Sequence, residues 1–477
     1  MFKKCFLLLF LLPCLGLGQA LPDTVVFRIN MQSLISRGDF KPDADRVGVR
    51  GNEQPLSWGI SVVAEDMDKD GVYEARIPFV RKNERVVKVS YKFKLERAGS
   101  EPNTGWEDGP NRMVVVNGQS KVERSFNAPP EPIPPTFTGR IITHEAFASK
   151  YLPARNVYVY LPPDYDKNPQ KRYPVLYMHD GRNVLDASVI GQEWEMDEAA
   201  EQLIIKGDIQ PFILVGIDNT SHRIFEYTPD AIVFKGKQLL KRVDQPIRGD
   251  DLVATPARYG TDFLTGVTVT AAERGLWLRS HASASLLRLD KQADGSYTAE
   301  APRLRLQFLR DQEGLVNALE ITGLTTGGGG FLYGKMLTEE IKPFIDRNYR
   351  THKKANHTFV GGSSLGGLLS MALGLAYPNV FGGLLVVSPS VWWNGESLIS
   401  RVKQLKRKNR QKIWVDMGTA EGANAVATSN RLVEALQAKG WTSKELRYVV
   451  APNAQHNEAA WAVRAPDMLR FLFGAKK

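Results

Sequence analysis

The chain has 477 residues and a formal net charge of +10. That length is more than one ordinary hydrophobic core can use and implies two or three domains. The one dense basic run, KQLKRKNR at 403–410, has no interleaved aromatic residue and reads as a solvated helix face, which argues against a nucleic-acid site. At the start, MFKKCFLLLFLLPCLGLGQA sets Lys3 and Lys4 before an apolar run from Phe6 to Leu12. This pattern predicts a signal peptide over residues 1–20, cleaved after Ala20, and export to the periplasm or the medium. The run is too short to span a bilayer, so the mature chain is expected to have no membrane span. Pro13 before Cys14 does not suit a lipoprotein. Cys5 and Cys14 both lie in this segment, so the exported chain would hold no disulfide and no cysteine nucleophile or metal ligand. Without Lys3 and Lys4 the charge falls by two, to +8.

Residues 21–127 read as a β-sandwich. TVVFRINM, RVGVRG, VYEARIPFV, VVKVSYKFKLER, MVVVNG and KVERSF are short β-rich runs separated by Gly, Asn, Asp and Pro. Within it, DMDKDG (66–71) begins like a calcium loop, but Ile77 stands at the twelfth position, so a turn is expected. Residues 128–139 form a proline-rich, extended linker. From residue 140 to 477 near-continuous apolar runs such as YPVLYMHD, FILVGID, HTFVGG, GLLVVS and KIWVDMG alternate with helical patterns, which predicts a parallel sheet covered on both faces. Residues 231–324 break the alternation with strand-like runs and tight turns and no helical pattern. They predict an inserted β-meander, with TTGGGG (325–330) as a flexible return.

The stretch VGGSSLGGLLS places Gly362-Ser363-Ser364-Leu365-Gly366 between the run HTFVGG and a helical pattern. A G-x-S-x-G turn from strand to helix holds a serine in a strained conformation, with small residues two before and two after it. Only Ser364 has glycine at both offsets, so it is the candidate nucleophile. A serine needs a base, and the base needs an orienting acid. His456 is the one histidine after the elbow. Of the acids in KIWVDMGTAEG, Asp416 falls inside the strand run and Glu421 past its carboxyl end, where sites of open α/β sheets gather; Glu421 is preferred. For the oxyanion, the amide of Leu365 is one expected donor. The loop of MHDGRN supplies the other, from Gly181 or Arg182. Trp392 and Trp393 of SPSVWW stand as candidate substrate contacts. Neither cofactor nor metal is required by this chemistry.

These residues resemble the esterase family of α/β-hydrolases, which takes in siderophore esterases, feruloyl and acetyl-xylan esterases, S-formylglutathione hydrolase and mycolyltransferases. The likeness rests on VYVYLPPDY, RYPVLYMHDGRNVLD, VGIDNTSHRIFEYTP, EEIKPFIDRNYRT, the elbow stretch through SPSVWW, DMGTAEG and QHNEAAW. It implies a triad of Ser364, Glu421 and His456, with oxyanion amides at Leu365 and Arg182. The 231–324 insertion departs from the family and is faintly similar to β-barrel tails of some penicillin-binding esterases. In the first domain, PLSWG, YKF and GWEDGPNR resemble starch-binding carbohydrate-binding modules. That resemblance implies glucan contacts at Trp58, Lys92 and Trp106, with Asn111 nearby; the alternative is that the tryptophans fill the sandwich core. The reading is therefore an exported serine esterase acting on an acetyl or feruloyl ester of a polysaccharide. A siderophore esterase, an acyltransferase and a catalytically silent glycan-binding protein are the alternatives.

Overall fold

The computed structural model describes residues 23–79, 87–97, 104–108, 111–116, 120–128, 135–188, 191–243, 247–248, 257–260, 266–272, 275–280, 286–299, 304–406 and 411–474. The signal segment, much of the proline-rich linker and the end of the basic run lie outside these residues. The chain divides into two units, 1–134 and 135–477.

Among the described residues of the first unit, seven strands form two sheets. Val72–Phe79, Asp23–Asn30 and Ser120–Ser125 make one, in that order; Val62–Ala64, Arg46–Gly51, Val87–Glu96 and Arg112–Val116 make the other. Alternation along Asp23–Asn30 buries Val25, Phe27 and Ile29 completely. Phe27 meets Tyr91 of the opposite sheet edge to face, with ring centroids 4.8 Å apart. The two sheets thus close over one apolar core, as a sandwich does. The strand Val62–Ala64 and the helix Gln32–Arg37 carry no clear signal in the sequence. The DMDKDG loop is a turn: Asp66 Oδ2 accepts the Gly71 amide at 2.9 Å and Asp70 Oδ1 the Val72 amide at 2.7 Å.

The second unit is built on eight strands: β1 Arg140–Phe147, β2 Arg155–Leu161, β3 Val175–His179, β4 Ile213–Ile217, β5 Thr358–Ser363, β6 Gly383–Val387, β7 Lys412–Gly418 and β8 Leu446–Ala451. They order as β1-β2-β4-β3-β5-β6-β7-β8. From β4 to β8 every pairing is parallel, while β2 runs antiparallel to β4 and β1 to β2. The two-residue period of a strand decides which layer each residue joins. In β3, Leu176 and Met178 pack with the helices Met196–Ile205 and Glu458–Phe473. Val175 and Tyr177 pack on the other face with the helix Leu365–Ala376 and its neighbours. With both faces covered, all five residues of β3 and of β4 are buried.

The insertion is a barrel. Strands Lys237–Lys241, Leu315–Thr322, Leu304–Arg310, Tyr297–Ala299, Leu286–Lys291, Gly275–Ser280, Val267–Ala272 and Ala257–Tyr259 pair antiparallel in that order. The bridge between Arg242 and Tyr259 returns the last strand to the first. The predicted meander thus curls round until its last strand meets the end of its first. Its return differs from expectation: Thr325–Gly327 is a strand paired with Ala231–Val233, not a flexible tether. This two-stranded neck brings the two ends of the insertion side by side. No helix among the described residues is long and apolar enough to cross a membrane.

Candidate active site

Ser364 lies between the end of β5 and the first turn of the helix Leu365–Ala376, with φ 58° and ψ −121°. For a non-glycine residue this is a strained conformation, and it is the one a nucleophile elbow demands. The elbow is held by its neighbours. The Ser364 amide donates to Val387 O at 3.0 Å, and its carbonyl accepts the Ser390 amide at 3.0 Å. A Cβ on Gly362 would lie 3.0 Å from His179 Cδ2 and 3.1 Å from the Gly366 backbone, a tight fit that His179 or Gly366 would have to relieve. On Gly366 the nearest atom would be 3.5 Å away, an ordinary contact. Gly367, which the sequence argument did not single out, is tighter, with Val387 O at 2.8 Å. Ser363 is buried at the end of β5.

His456 and Glu421 are brought together: Nδ1 of the imidazole lies 2.6 Å from Glu421 Oε2. Glu421 closes the short turn Thr419–Glu421 directly after β7. Its other oxygen accepts Ser388 Oγ at 2.6 Å and the Gly418 amide at 2.9 Å. Burial alone would raise the Glu421 carboxyl. The hydrogen bonds from His456, Ser388 and Gly418 outweigh it and hold the group below the usual carboxylate value. Asp416 is fully buried inside β7, bound by Arg464, Trp414 Nε1 and the Ser388 amide. It is the structural acid of the pair.

Ser388 is the residue sequence reasoning missed. It sits just past β6 with φ 40°, buried, and its hydroxyl touches Glu421, Trp461 Nε1 at 3.0 Å and Arg464 Nη2 at 3.3 Å. Trp461 in turn sets its ring edge-on to His456, with centroids 5.1 Å apart. The Ser364 hydroxyl contacts Ser390 Oγ at 3.4 Å. His456 is exposed on its remaining side, its side chain 44 % accessible.

The Leu365 amide opens a helix and has no intrahelical acceptor. The Arg182 amide does not match its expected role. It donates to Asp218 Oδ1 at 2.9 Å, because Asp218 at the end of β4 is drawn into the sheet edge and also accepts Tyr158 Oη at 3.1 Å. Gly181 is the other amide named for this loop. A Cβ there would strike Gly216 and Ile217 backbone atoms at 2.3 Å, so its glycine serves close packing on β4. Asp180, in the left-handed region with φ 56°, is held by both guanidinium arms of Arg223 at 2.7 and 2.8 Å. His179, at the end of β3, bonds Tyr333 Oη at 3.0 Å through Nδ1. Burial pushes its imidazole down to about 3, so it is neutral. Trp393 is not a substrate contact: it is fully buried and its Nε1 donates to Asp230 O. Trp392 is 45 % exposed and stays a candidate.

In the first unit the alternative of core tryptophans fails. Trp58 and Trp106 are half-buried, lie outside the apolar core and stand 6.2 Å apart at 55°. Arg50 joins them: its guanidinium lies 5.2 Å from the Trp106 ring and donates to Trp58 O at 2.9 Å. Glu96, which receives Arg50 and the buried Lys94, would be raised by burial, yet its hydrogen bonds to Lys94, Ser61 and Arg50 hold it at about 2. Lys92 Nζ reaches Glu107 O at 3.0 Å, beside Trp106. Asn111 is half-buried ahead of the strand Arg112–Val116.

The esterase family matches residues 151–238 and 324–472, leaving out the barrel. The uncharacterized protein YbbA of Bacillus subtilis is 25 % identical over 158 residues, which is 32 % of this chain and 63 % of YbbA. The ferri-bacillibactin esterase BesA of the same organism is 32 % identical over 97 residues, 20 % of this chain and 33 % of BesA. The chain thus spans less than two thirds of the length of these curated relatives. Among solved structures, the enterobactin esterase FES from Shigella flexneri gives a TM-score of 0.49 at 13 % identity, covering 91 % of this chain and 89 % of that one. A ferulic acid esterase gives 0.42 at 14 % identity, covering 71 % and 99 %.

Proposed function

The chain belongs to the esterase family of carboxylic ester hydrolases, and from that premise we propose that Ser364, His456 and Glu421 hydrolyse esters through an acyl-enzyme. The pairing of His456 Nδ1 with Glu421 carries the reading, because it fixes the tautomer whose Nε2 is free to take a proton. Ser364 Oγ leaves Ser390, turns to His456 and attacks the ester carbonyl carbon. His456 Nε2 takes the hydroxyl proton and passes it to the leaving alcohol. The amides of Leu365 and Gly181 hold the oxyanion. Water, deprotonated by the same imidazole, then releases the acid and restores Ser364. Hydrolysis of a chromogenic short-chain ester tests this: Ser364→Ala is expected to lose turnover and fluorophosphonate labelling together. Retained turnover would refute it, and an unlabelled wild-type protein would favour the silent glycan-binding alternative.

For the substrate we propose an acetyl or feruloyl ester on a polysaccharide, with the Trp58–Trp106 pair as the carbohydrate contact. Flat indole faces outside the core suit the apolar face of a sugar ring. The match to a ferri-bacillibactin esterase favours a second reading, a catecholate siderophore ester. Release of acetate or ferulate from decorated polysaccharide, compared with cleavage of a cyclic catecholate ester, separates the two. Acyl transfer to an added sugar would identify a transferase instead. Export is likewise proposed; a secreted protein whose intact mass begins at Leu21 would support it.

A further inference from the structure

The hydroxyl proton of Ser388 has a single place to go. A serine Oγ has one hydrogen to give and two lone pairs that receive. Trp461 Nε1 lies 3.0 Å from Ser388 Oγ and Arg464 Nη2 3.3 Å. Both groups are donors only, so together they take up the two lone pairs. The hydrogen is left for Glu421 Oε1, 2.6 Å away. This direction is set from behind. Arg464 Nη2 also donates to Asp416 Oδ1 at 3.1 Å, which accepts the Ser388 amide at 3.2 Å as well. Trp414 Nε1 holds the other Asp416 oxygen at 2.7 Å. Asp416, Ser388 and Arg464 are all buried, so little water competes for these bonds.

The last torsion of a glutamate is soft, so Oε2 faces His456 only if the far oxygen is held. Two donors hold it, the Ser388 hydroxyl and the Gly418 amide. The amide belongs to the backbone; the hydroxyl is the part that the buried Asp416–Arg464 pair directs. Resting on the triad reading above, we propose that Ser388 is a positioning residue, which with Arg464 and Asp416 behind it keeps the Glu421 carboxylate turned toward His456. The two acids of KIWVDMGTAEG, alternatives for one role in the sequence, then stand in series as Asp416–Arg464–Ser388–Glu421–His456. The charged groups that face this series among the described residues are its own members and Glu458, in the first turn of the helix that carries Arg464. Without the hydroxyl the Glu421 anion loses a hydrogen bond. It then binds a proton more tightly, whether on its own oxygen or on the imidazole beside it. The His456–Glu421 pair therefore becomes protonated at higher pH.

The test compares the full-length wild type with Ser388→Ala and Ser388→Gly. Ser388 has φ 40°, which glycine adopts freely, so Ser388→Gly removes the hydroxyl while easing the backbone. The first readout needs no substrate: a pH titration of the His456 ring by NMR, its signal assigned by loss in His456→Gln. Both variants are expected to titrate higher than wild type by about half a unit or more. On a short-chain ester, kcat is expected to fall about tenfold or more with KM within about twofold, and the acidic limb of kcat/KM to move up with the NMR titration. A titration and an acidic limb that stay at the wild-type position in a folded variant would overturn the proposal. If Ser388→Ala does not fold, Ser388→Gly decides alone; unfolding of both would mark Ser388 as structural and overturn it. A shifted NMR titration in a chain that hydrolyses no ester would uphold the link from Ser388 to His456 and refute the hydrolase reading instead.

Discussion

The core sheet and the inserted barrel solve burial in opposite ways. Every residue of β5 is buried, because helices cover both of its faces. Along the barrel strand Leu304–Arg310 the first four residues alternate between buried and exposed, since only one face looks inward. A sheet covered twice has no free face, so its chemistry must sit at an edge. Ser364, Glu421 and the Ser388 hub all lie just past the carboxyl ends of β5, β7 and β6. The barrel needs no such edge, and it joins the core through a neck of two short paired strands. The lesson is that the reacting groups and the insertion are separable in construction, although they share one unit.

The largest expected effect breaks the first side of that contrast. Glu421→Gln should lower kcat on a short-chain ester by about 10³–10⁴-fold, since the amide no longer sets the imidazole tautomer. Excision of residues 235–323, with an Asn-Gly turn across the neck, should leave the same kcat within about tenfold. Phe234 N already donates to Leu324 O at 3.0 Å, so the cut ends meet without strain. A collapse as deep as that of Glu421→Gln would tie the barrel into the site. Next, Gly362→Ala should cost about 1–3 kcal/mol in denaturant unfolding because His179 and Gly366 must give way. Gly295→Ala, at a barrel turn with φ 82° and open space around it, should cost about 1–2 kcal/mol from backbone strain alone. Equal losses with no shift of His179 would blur the contrast.

The smallest effect is a slope in pH. The folded His179 takes its proton only near pH 3, whereas an unfolded histidine does so near 6.5. Between these values the unfolded chain binds the extra proton. Stability is therefore full above about pH 6.5 and falls as pH drops toward 3, by about 1.4 kcal/mol over the first unit. His179→Gln, which keeps a polar partner for Tyr333, should flatten that part of the melting profile relative to wild type. Parallel slopes would sink the assignment.

The elbow was legible because the turn imposes a local spacing, which Gly362, Ser364 and Gly366 satisfy. Glu421 and His456 were legible because strand order places acid and base after the nucleophile. Glu421 and Asp416 could be told apart by position along one strand. Residues that act through distant partners left no such mark. Nothing near Ser388 announces that Trp461 and Arg464 will arrive from a helix more than seventy residues away. The Arg182 amide could not be known to be taken, because Asp218 reaches it from another strand. Trp392 and Trp393 are neighbours with opposite fates, the second drawn inward to bond Asp230 O, a partner more than a hundred and sixty residues away. The barrel's strands were readable as runs, but its closure depends on Arg242 meeting Tyr259, a pairing of ends.

Residues 387–390 touch the nucleophile and the acid at once. Val387 and Ser390 bond the Ser364 backbone, Ser390 also bonds its hydroxyl, and Ser388 bonds Glu421. In the language of measurement, one short gauge block sets both distances. A displacement of that segment carries nucleophile and acid together, so their errors are correlated and their separation is preserved while each absolute position drifts.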